Sequence, residues 1–281
     1  MYRITKVLNH NAVICVEADS NRQYLILGKG AGFGKKVSER IEARPSDTLY
    51  SLSETTDRGS AVQLAASIDP LYLEIAGEVL DEAERVFHAL DRKVLFPLAD
   101  HIEYAVKRIL NHEQISNPLT DDIRLLFHME YKAAESVREI LRKRVHVEIG
   151  DDEIGYIALH IHSAINDEKV SKAMQMAQAV RICVSAVEKA CGKKIDILSL
   201  SYNRLMNHVR YMVARAMNGE QLKLNMNDYI SVKFPESFQM AKENCREIEK
   251  MLKCKLDDVE IGYLAMHIER VKCDELGSEN A

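Results

Sequence analysis

Four histidines recur in matching sequence contexts and are the side chains best suited to carry chemistry in this 281-residue chain. The phrase EIGYIALHI contains His160, and EIGYLAMHI repeats it around His267. His101 and His208 lie in a second pair of related phrases, DHIEYAVKR and NHVRYMVAR. An imidazole can transfer protons, bind a metal ion, accept a phosphoryl group or hydrogen-bond within a core. The residue type alone leaves these four roles open.

The two pairs of phrases are related by a single offset. When residue n is aligned with residue n + 107, both histidine phrases match without a gap, and the two histidines of each copy are 59 residues apart. Matching phrases at one offset are the signature of a duplicated structural unit. The sequence therefore predicts two copies of a helical domain of roughly 105 residues.

Helical periodicity places the histidines at the borders of apolar stripes. On the predicted helix around His101, this side chain falls about 60° to the side of the stripe. On the later helix, His160 lies beside the stripe and shares a flank with Glu153 and Tyr156. His162 points to nearly the opposite side, so we exclude it from the candidate site. A border position is compatible with a structural histidine as well as with a functional one.

Metal and catalytic readings have weak support. A metal site needs three or more convergent ligands, but each copy offers two matched histidines, and Asp100 of the first copy is Asn207 in the second. A helical metal-dependent phosphohydrolase would need a His-Asp order, which is absent. No serine or cysteine recurs with the histidines as a nucleophile would. We predict no metal, no cofactor and no enzyme active site.

The N-terminal region has a different character. Residues 1–44 contain eight Lys or Arg against four acidic residues, although the whole chain carries a net charge of −5. The segments RITKVL, AVICVE and QYLILG are short β-branched runs separated by turn residues, and they predict a small antiparallel sheet. A basic module on an acidic body indicates a polyanion-binding head, and a solvated basic loop is the alternative.

A glycine-rich loop follows the third predicted strand. The stretch GKGAGFGKK has glycines in the wrong places for either a P-loop or a dinucleotide-binding fingerprint. It retains a backbone that can approach a partner closely, flanking lysines for phosphates, and Phe33, which could stack on an unpaired base. The alternative is a core phenylalanine on a glycine-rich hairpin.

From about residue 62 the apolar residues follow helical spacing. The polar stretch 53–61 is predicted to link sheet and helices, and 166–172 is a second polar break. The fold class predicted is thus multidomain: a small antiparallel β-sheet domain over 1–56, then two duplicated all-α helical-bundle domains over 62–168 and 172–278. Six cysteines without a Cys-x-x-Cys pair suggest neither a zinc site nor a disulfide framework. The absence of a long apolar run and of a signal-peptide pattern predicts a cytoplasmic protein without membrane insertion.

The order of these parts resembles the bacterial sugar-operon transcriptional antiterminators of the BglG/SacY/LicT type. The resemblance rests on NHNAVICV and GKGAGFGKK in the head and on the four histidine phrases, and it covers nearly the whole chain. It implies a dimeric co-antiterminator RNA-binding domain followed by two phosphotransferase-system regulation domains. Such a homodimer would bind a leader mRNA hairpin and prevent an overlapping terminator from forming.

The resemblance also implies which residues act. The RNA contacts carried over by motif are Lys6, Asn9, Asn11, Gly28, Lys29, Gly30 and Phe33. Lys29 departs from the arginine of many relatives, and a lysine cannot make a bidentate contact, so the RNA preference is expected to differ.

In the helical domains, the resemblance makes His101, His160, His208 and His267 phosphoryl acceptors. The phosphate would come from the carrier HPr and a sugar-specific enzyme II. Arg108 and Arg215 recur two turns after the first histidine of each pair and could hold the phosphate, with surface solubility as the alternative. A DNA-binding activator with the same regulation domains is the second functional hypothesis, although the strand-rich head shows no helix-turn-helix pattern.

Overall fold

The computed structural model describes residues 1–20, 22–52, 55–56, 59–60, 65, 67–166 and 169–277. The chain forms two compact units. The first contains Met1–Thr120 and Phe127–Val170, and the second contains Asp121–Leu126 and Ser171–Ala281.

The first unit begins with an antiparallel sheet whose strand order is β4-β1-β2-β3-β5. The strands are β1 (Tyr2–Val7), β2 (Ala12–Glu17), β3 (Gln23–Leu27), β4 (Arg40–Ile41) and β5 (Thr48–Ser51). The three predicted strands are confirmed. The edge strands β4 and β5 were not predicted, because two to four residues are too few to show a period.

One face of the sheet holds a small core. Ile4, Val13, Cys15 and Ile26 are buried together, with Ala31 of the glycine loop beside them. Burial of these side chains stabilises the sheet. The glycine loop is thereby anchored to the sheet through Ala31.

Helices make up most of the remaining described chain. In the first copy they are α1 (Pro70–Phe87), α2 (Leu95–Leu110), α3 (Thr120–Leu126), α4 (His128–Ala134), α5 (Ser136–Val145) and α6 (Asp151–Asn166), with a 3₁₀ turn at Arg92–Val94. In the second they are α7 (Val170–Cys191), α8 (Leu200–Asn218), α9 (Asn227–Lys233), α10 (Pro235–Leu252) and α11 (Glu260–Gly277). Asp69 caps α1 by accepting a hydrogen bond from the backbone N–H of Leu71 at 2.9 Å.

The element bounds confirm the duplication. Adding 107 to the ends of α3 gives the ends of α9, and the span from the start of α4 to the end of α5 maps onto α10. The first copy divides this helix at Glu135, next to which the Ser136 hydroxyl donates to the backbone carbonyl of Ala133 at 2.7 Å. Such local side-chain bonds compete with helical ones, which is consistent with a break here and a continuous helix in the second copy.

Helix α3 packs within the second unit although its sequence belongs to the first copy. Asp122 is fully buried there, and its carboxylate accepts hydrogen bonds of 2.8 and 2.9 Å from Arg181. Burial raises the pKa of Asp122, and Arg181 opposes that shift by favouring the ionised form. The buried carboxylate is tolerated because a guanidinium satisfies it.

The predicted linkers are partly structured. Within 53–61, the two-residue strands β6 (Thr55–Thr56) and β7 (Gly59–Ser60) pair with each other, while 53, 54, 57, 58 and 61 lie outside the described residues. Helix α7 begins inside the second predicted break, at Val170. The predicted domain ends at 62, 168 and 278 also lie outside the described residues. In the part of the chain that is described, no helix is long and apolar enough to cross a membrane.

Candidate RNA-binding surface and histidine sites

Asn11 organises the glycine loop. Its backbone carbonyl accepts a hydrogen bond from the N–H of Gly28 at 2.9 Å, and its side-chain Oδ1 accepts one from the N–H of Gly30 at 2.7 Å. The carbonyl of His10 accepts a further bond from the N–H of Gly32 at 2.9 Å. The turn between β1 and β2 and the glycine loop after β3 therefore form one surface, which contains most of the predicted RNA contacts.

Two glycines of the loop are needed for different physical reasons. Gly30 has a φ of +75°, a left-handed backbone conformation that residues other than glycine adopt at an energetic cost. At Gly32, a Cβ atom would lie 2.1 Å from the backbone carbonyl oxygen of Asn9. The close approach of two backbone segments thus requires a glycine at this position.

Phe33 lies on the outside of this surface. Its side chain is 69% exposed, and its ring contacts that of His10 edge to face, with centroids 5.4 Å apart. The alternative of a core phenylalanine is therefore wrong. His10, which sequence reasoning did not select, is also exposed and lies in the NHN turn.

The predicted phosphate contacts lie at the rim. Lys6 and Lys29 are both exposed, and Lys6 follows an irregularity in the pairing of β1 with β2. The backbone carbonyl of Lys29 accepts a hydrogen bond from Arg44 at 2.8 Å, which fixes the loop while leaving the Lys29 ammonium at the surface. The sheet domain thus offers an exposed aromatic ring between exposed cationic groups.

The two asparagines of this surface are already engaged by a helix. The side-chain amides of Asn9 and Asn11 donate to the two carboxylate oxygens of Glu74 in α1, at 2.7 and 3.1 Å. Glu74 was missed in the sequence, because 63 and 65 residues separate it from these asparagines and no motif connects them.

The first histidine pair lies between α2 and α6. The rings of His101 and His160 have centroids 5.6 Å apart, and Tyr156 lies 5.6 Å from His101. The Nε2 atom of His101 is 3.2 Å from Oε2 of Glu153, whose other oxygen accepts a hydrogen bond of 2.5 Å from Arg108. The three side chains predicted to share a flank, Glu153, Tyr156 and His160, therefore all lie next to His101.

The second pair repeats this arrangement between α8 and α11. His208 and His267 are stacked with ring centroids 4.6 Å apart, and Nε2 of His208 is 3.6 Å from Oε2 of Glu260. Arg215 donates to both oxygens of Glu260, at 2.6 and 3.0 Å. Each copy thus contains two adjacent imidazoles, a buried carboxylate and an arginine that binds this carboxylate.

Burial controls the protonation of the second pair. It lowers the pKa of His208 to about 3, with the neighbouring His267 and Arg215 acting in the same direction. Burial also lowers the pKa of His267, assisted by Arg270 and Arg204. Both rings are therefore neutral at physiological pH and keep a nitrogen lone pair, the form that can act as a nucleophile.

Both arginines lie in ion pairs, and the residue before the first histidine of each pair differs between the two copies. Arg108 and Arg215 bind glutamates rather than lying free at the surface, which argues against the solubility alternative. Asn207, the counterpart of Asp100, donates to the backbone carbonyl of Asn203 at 2.9 Å within its own helix. Glu153 and Glu260 were missed as site members, although both belong to the repeated phrase EIGY.

Among the described residues, no group of three or more His, Cys, Asp or Glu side chains is placed to hold a metal ion. His162 forms a separate contact, 2.9 Å from Glu130 and against the ring of Phe127.

Comparison with known families identifies the class of protein. Residues 2–58 match the CAT RNA binding domain, and residues 77–164 and 181–271 each match the PRD domain. The chain belongs to the family of RNA-binding transcriptional antiterminators in which a CAT domain precedes two PRD domains, and the resemblance noted in the sequence is confirmed.

Individual relatives give a finer comparison. The chain is 29% identical over 273 residues to the GlcA/glcB genes antiterminator of Staphylococcus carnosus, which covers 95% of this chain and 94% of the relative. It is 29% identical over 271 residues to Protein GlcT of Staphylococcus haemolyticus, with 95% of each chain covered. A crystal structure of GlcT CAT-PRDI is also similar to this chain, with 30% sequence identity and a TM-score of 0.51. The match covers 59% of this chain and 98% of the chain in that crystal structure.

Proposed function

We propose that this chain binds a hairpin in the leader mRNA of a sugar-utilisation operon as a homodimer and prevents formation of an overlapping terminator. The phosphotransferase system regulates it through phosphorylation of His101, His160, His208 and His267. In this account the protein is a cytoplasmic regulator and not an enzyme. The relatives named for the glcA and glcB genes and GlcT direct the search for the target operon towards leaders of that type.

The observation that carries the RNA-binding part is the exposure of Phe33. An aromatic ring that is 69% exposed, on a loop fixed by Asn11 and flanked by exposed lysines, matches what an unpaired base requires. Sequence readout would come from the side-chain amides of Asn9 and Asn11.

The neutral, paired imidazoles support the regulatory part. A lone pair on His208 or His267 attacks the phosphorus of a phosphohistidine on HPr or of a phosphorylated enzyme II, and the P–N or P–S bond of the donor breaks as the new P–N bond forms. The phosphate adds a charge of about −1.5 to −2 next to a buried carboxylate, which destabilises the arrangement described above. Arg108 and Arg215 can compensate this charge, at the expense of their bonds to Glu153 and Glu260.

Leader binding is the test of the RNA-binding part. The full chain is titrated against the glcA/glcB-type leader hairpin and against a hairpin of equal length and scrambled loop, at several salt concentrations. We expect tighter binding to the leader hairpin and two protein chains per RNA. Equal binding to both RNAs by a folded protein would contradict the proposal.

The phosphorylation part has a separate test. The chain is incubated with enzyme I, HPr and a radiolabelled phosphoenolpyruvate, and acid-labile protein-bound phosphate is measured. We expect label in the wild type and none after all four histidines are replaced by alanine, with circular dichroism as the control for folding. Label retained in the quadruple variant would refute the site assignment.

A further inference from the structure

A single carboxylate, that of Glu74, accepts hydrogen bonds from both asparagines of the candidate RNA-binding surface. The Nδ2 group of Asn9 donates to one oxygen of Glu74 at 2.7 Å, and that of Asn11 donates to the other oxygen at 3.1 Å. The carbonyl oxygens of these side chains are also engaged, because Oδ1 of Asn9 accepts from the N–H of Asn11 at 2.8 Å and Oδ1 of Asn11 accepts from the N–H of Gly30 at 2.7 Å. Each side chain thus gives one N–H to Glu74 and accepts one hydrogen bond from the backbone of the turn or the glycine loop.

The helix α1 holds Glu74 in this position. Arg144 of α5 donates to Glu74 at 2.8 Å and also pairs with Glu78, one turn further along α1. The side chain of Glu74 is 12% exposed, so the contact is largely shielded from solvent. A shielded, charge-assisted hydrogen bond is stronger than one at the surface.

The surroundings of the contact are polar and contain space. A cavity of about 450 Å³ lies beside it, lined by Gly28 and Lys29 from the loop and by Glu74, Glu78 and Asp81 from α1, among others. The space is open to solvent. The contact itself consists of a carboxylate on the helix and two side-chain amides on the sheet domain, groups that water or RNA can replace.

We infer that α1 of the first PRD domain competes with RNA for Asn9 and Asn11, with the Glu74 carboxylate standing where an anionic or acceptor group of the RNA would bind. The inference rests on the proposed RNA-binding function and adds a regulatory element to it. RNA must displace Glu74 before the asparagine amides are available, so the affinity of the full chain is lowered by the fraction of molecules in which the contact is closed.

This contact gives the first PRD domain a physical means to control the sheet. Helix α1 packs against α2, which carries His101, and the backbone N–H of Asp69 at the start of α1 donates to Glu103 of α2 at 3.1 Å. A change around His101 that moves α2 would move α1, and with it Glu74. The RNA-binding surface would then open or close with the state of the histidine pair.

The test compares two neutralising variants of the same helix in the full chain. Glu74→Gln places an amide where the carboxylate stood, and this amide cannot accept from both asparagines. Glu82→Gln is the matched control. Glu82 pairs with the exposed Arg85 on the same helix, and its substitution removes the same charge. Binding of the leader hairpin is measured for both, with circular dichroism to confirm that they fold.

We expect Glu74→Gln to bind the leader hairpin at least about fivefold more tightly than the wild type, and Glu82→Gln to equal the wild type. A second variant, Glu74→Ala, should behave like Glu74→Gln. Wild-type affinity in both Glu74 variants would overturn the inference and leave the proposed function intact. An equal gain in the Glu82 variant would assign the effect to net charge and also overturn it, and absence of RNA binding in every variant would overturn both proposals.

Discussion

Arg215 binds Glu260 through two hydrogen bonds, and the same two residue types meet at the equivalent position 107 residues earlier. The distances are 2.6 and 3.0 Å in the second copy, and Arg108 lies 2.5 Å from Glu153 in the first. In both copies the carboxylate also faces Nε2 of the first histidine of the pair. In each copy the arginine therefore holds a carboxylate beside the first histidine, which is a candidate phosphoryl acceptor.

This ion pair should contribute measurably to stability. Glu260 is 2% exposed and the Arg215 side chain 21%, so Glu260→Gln leaves a largely shielded guanidinium without its counter-charge, and we expect the free energy of unfolding to fall by about 3 kcal/mol. The control is Glu236→Gln, which removes an 88% exposed carboxylate paired with Lys272 and should cost less than about 1 kcal/mol. Urea unfolding followed by circular dichroism makes the comparison, and equal losses in the two variants would contradict the account.

The buried histidines should make the second unit sensitive to acid. The folded-state pKa of His208, about 3, lies below its ordinary value of 6.5, so the unfolded chain binds the proton first as the pH falls through this window. Stability attributable to His208 is therefore fully present above pH 6.5 and declines below it, by no more than about 1.4 kcal/mol per pH unit.

The measurement is the NMR titration of the His208 ring, assigned by its loss in His208→Gln. We expect no protonation between pH 8 and pH 5, and a shallower dependence of unfolding on pH in the variant. A ring that titrates near 6.5 in the folded protein would show that the imidazole is not buried as described.

Removal of the exposed aromatic ring of Phe33 should weaken RNA binding and leave folding unchanged. Phe33→Ala is expected to weaken binding of the leader hairpin by about tenfold, the loss expected from one stacked base. Its melting temperature should remain that of the wild type, because the ring is mostly in solvent. Tyr229→Ala, which removes a 63% exposed tyrosine from α9, is the control and should change neither property. Unchanged RNA affinity in Phe33→Ala would remove the main support for the proposed surface.

The two loop glycines should respond differently to alanine. At Gly30 the added Cβ meets no atom within 4 Å, so the cost is that of the left-handed backbone, about 1 kcal/mol. At Gly32 the added Cβ would lie 2.1 Å from the carbonyl oxygen of Asn9, so the turn between β1 and β2 must move. Thermal unfolding of the sheet domain, followed through amide NMR signals of β1 and β2, should show the larger loss for Gly32→Ala. A larger loss for Gly30→Ala would contradict this geometry.

The features that follow periodic rules could be predicted from the sequence. The duplication was visible because both histidine phrases share one offset, and the three long strands because each carries several β-branched or other apolar side chains over at least five residues. The exposure of Phe33 could not be predicted, since a glycine-rich hairpin can turn its aromatic residue either way. The contact of Glu74 with the asparagines could not be predicted, because a contact between a turn and a helix more than 60 residues apart depends on tertiary packing. Glu153 and Glu260 were accessible in principle, since both glutamates and both arginines repeat with a separation of 45 residues.

The central claim is that the chain allows transcription through a leader terminator, and in vitro transcription tests it most directly. A template carrying a glcA/glcB-type leader and its terminator is transcribed with the wild-type chain, with Phe33→Ala, and without protein. The account predicts that the wild type increases the fraction of full-length transcripts and that the variant does so less. A fourth reaction contains the Glu74→Gln chain. The same termination efficiency in all four reactions, with every protein folded, would contradict the account.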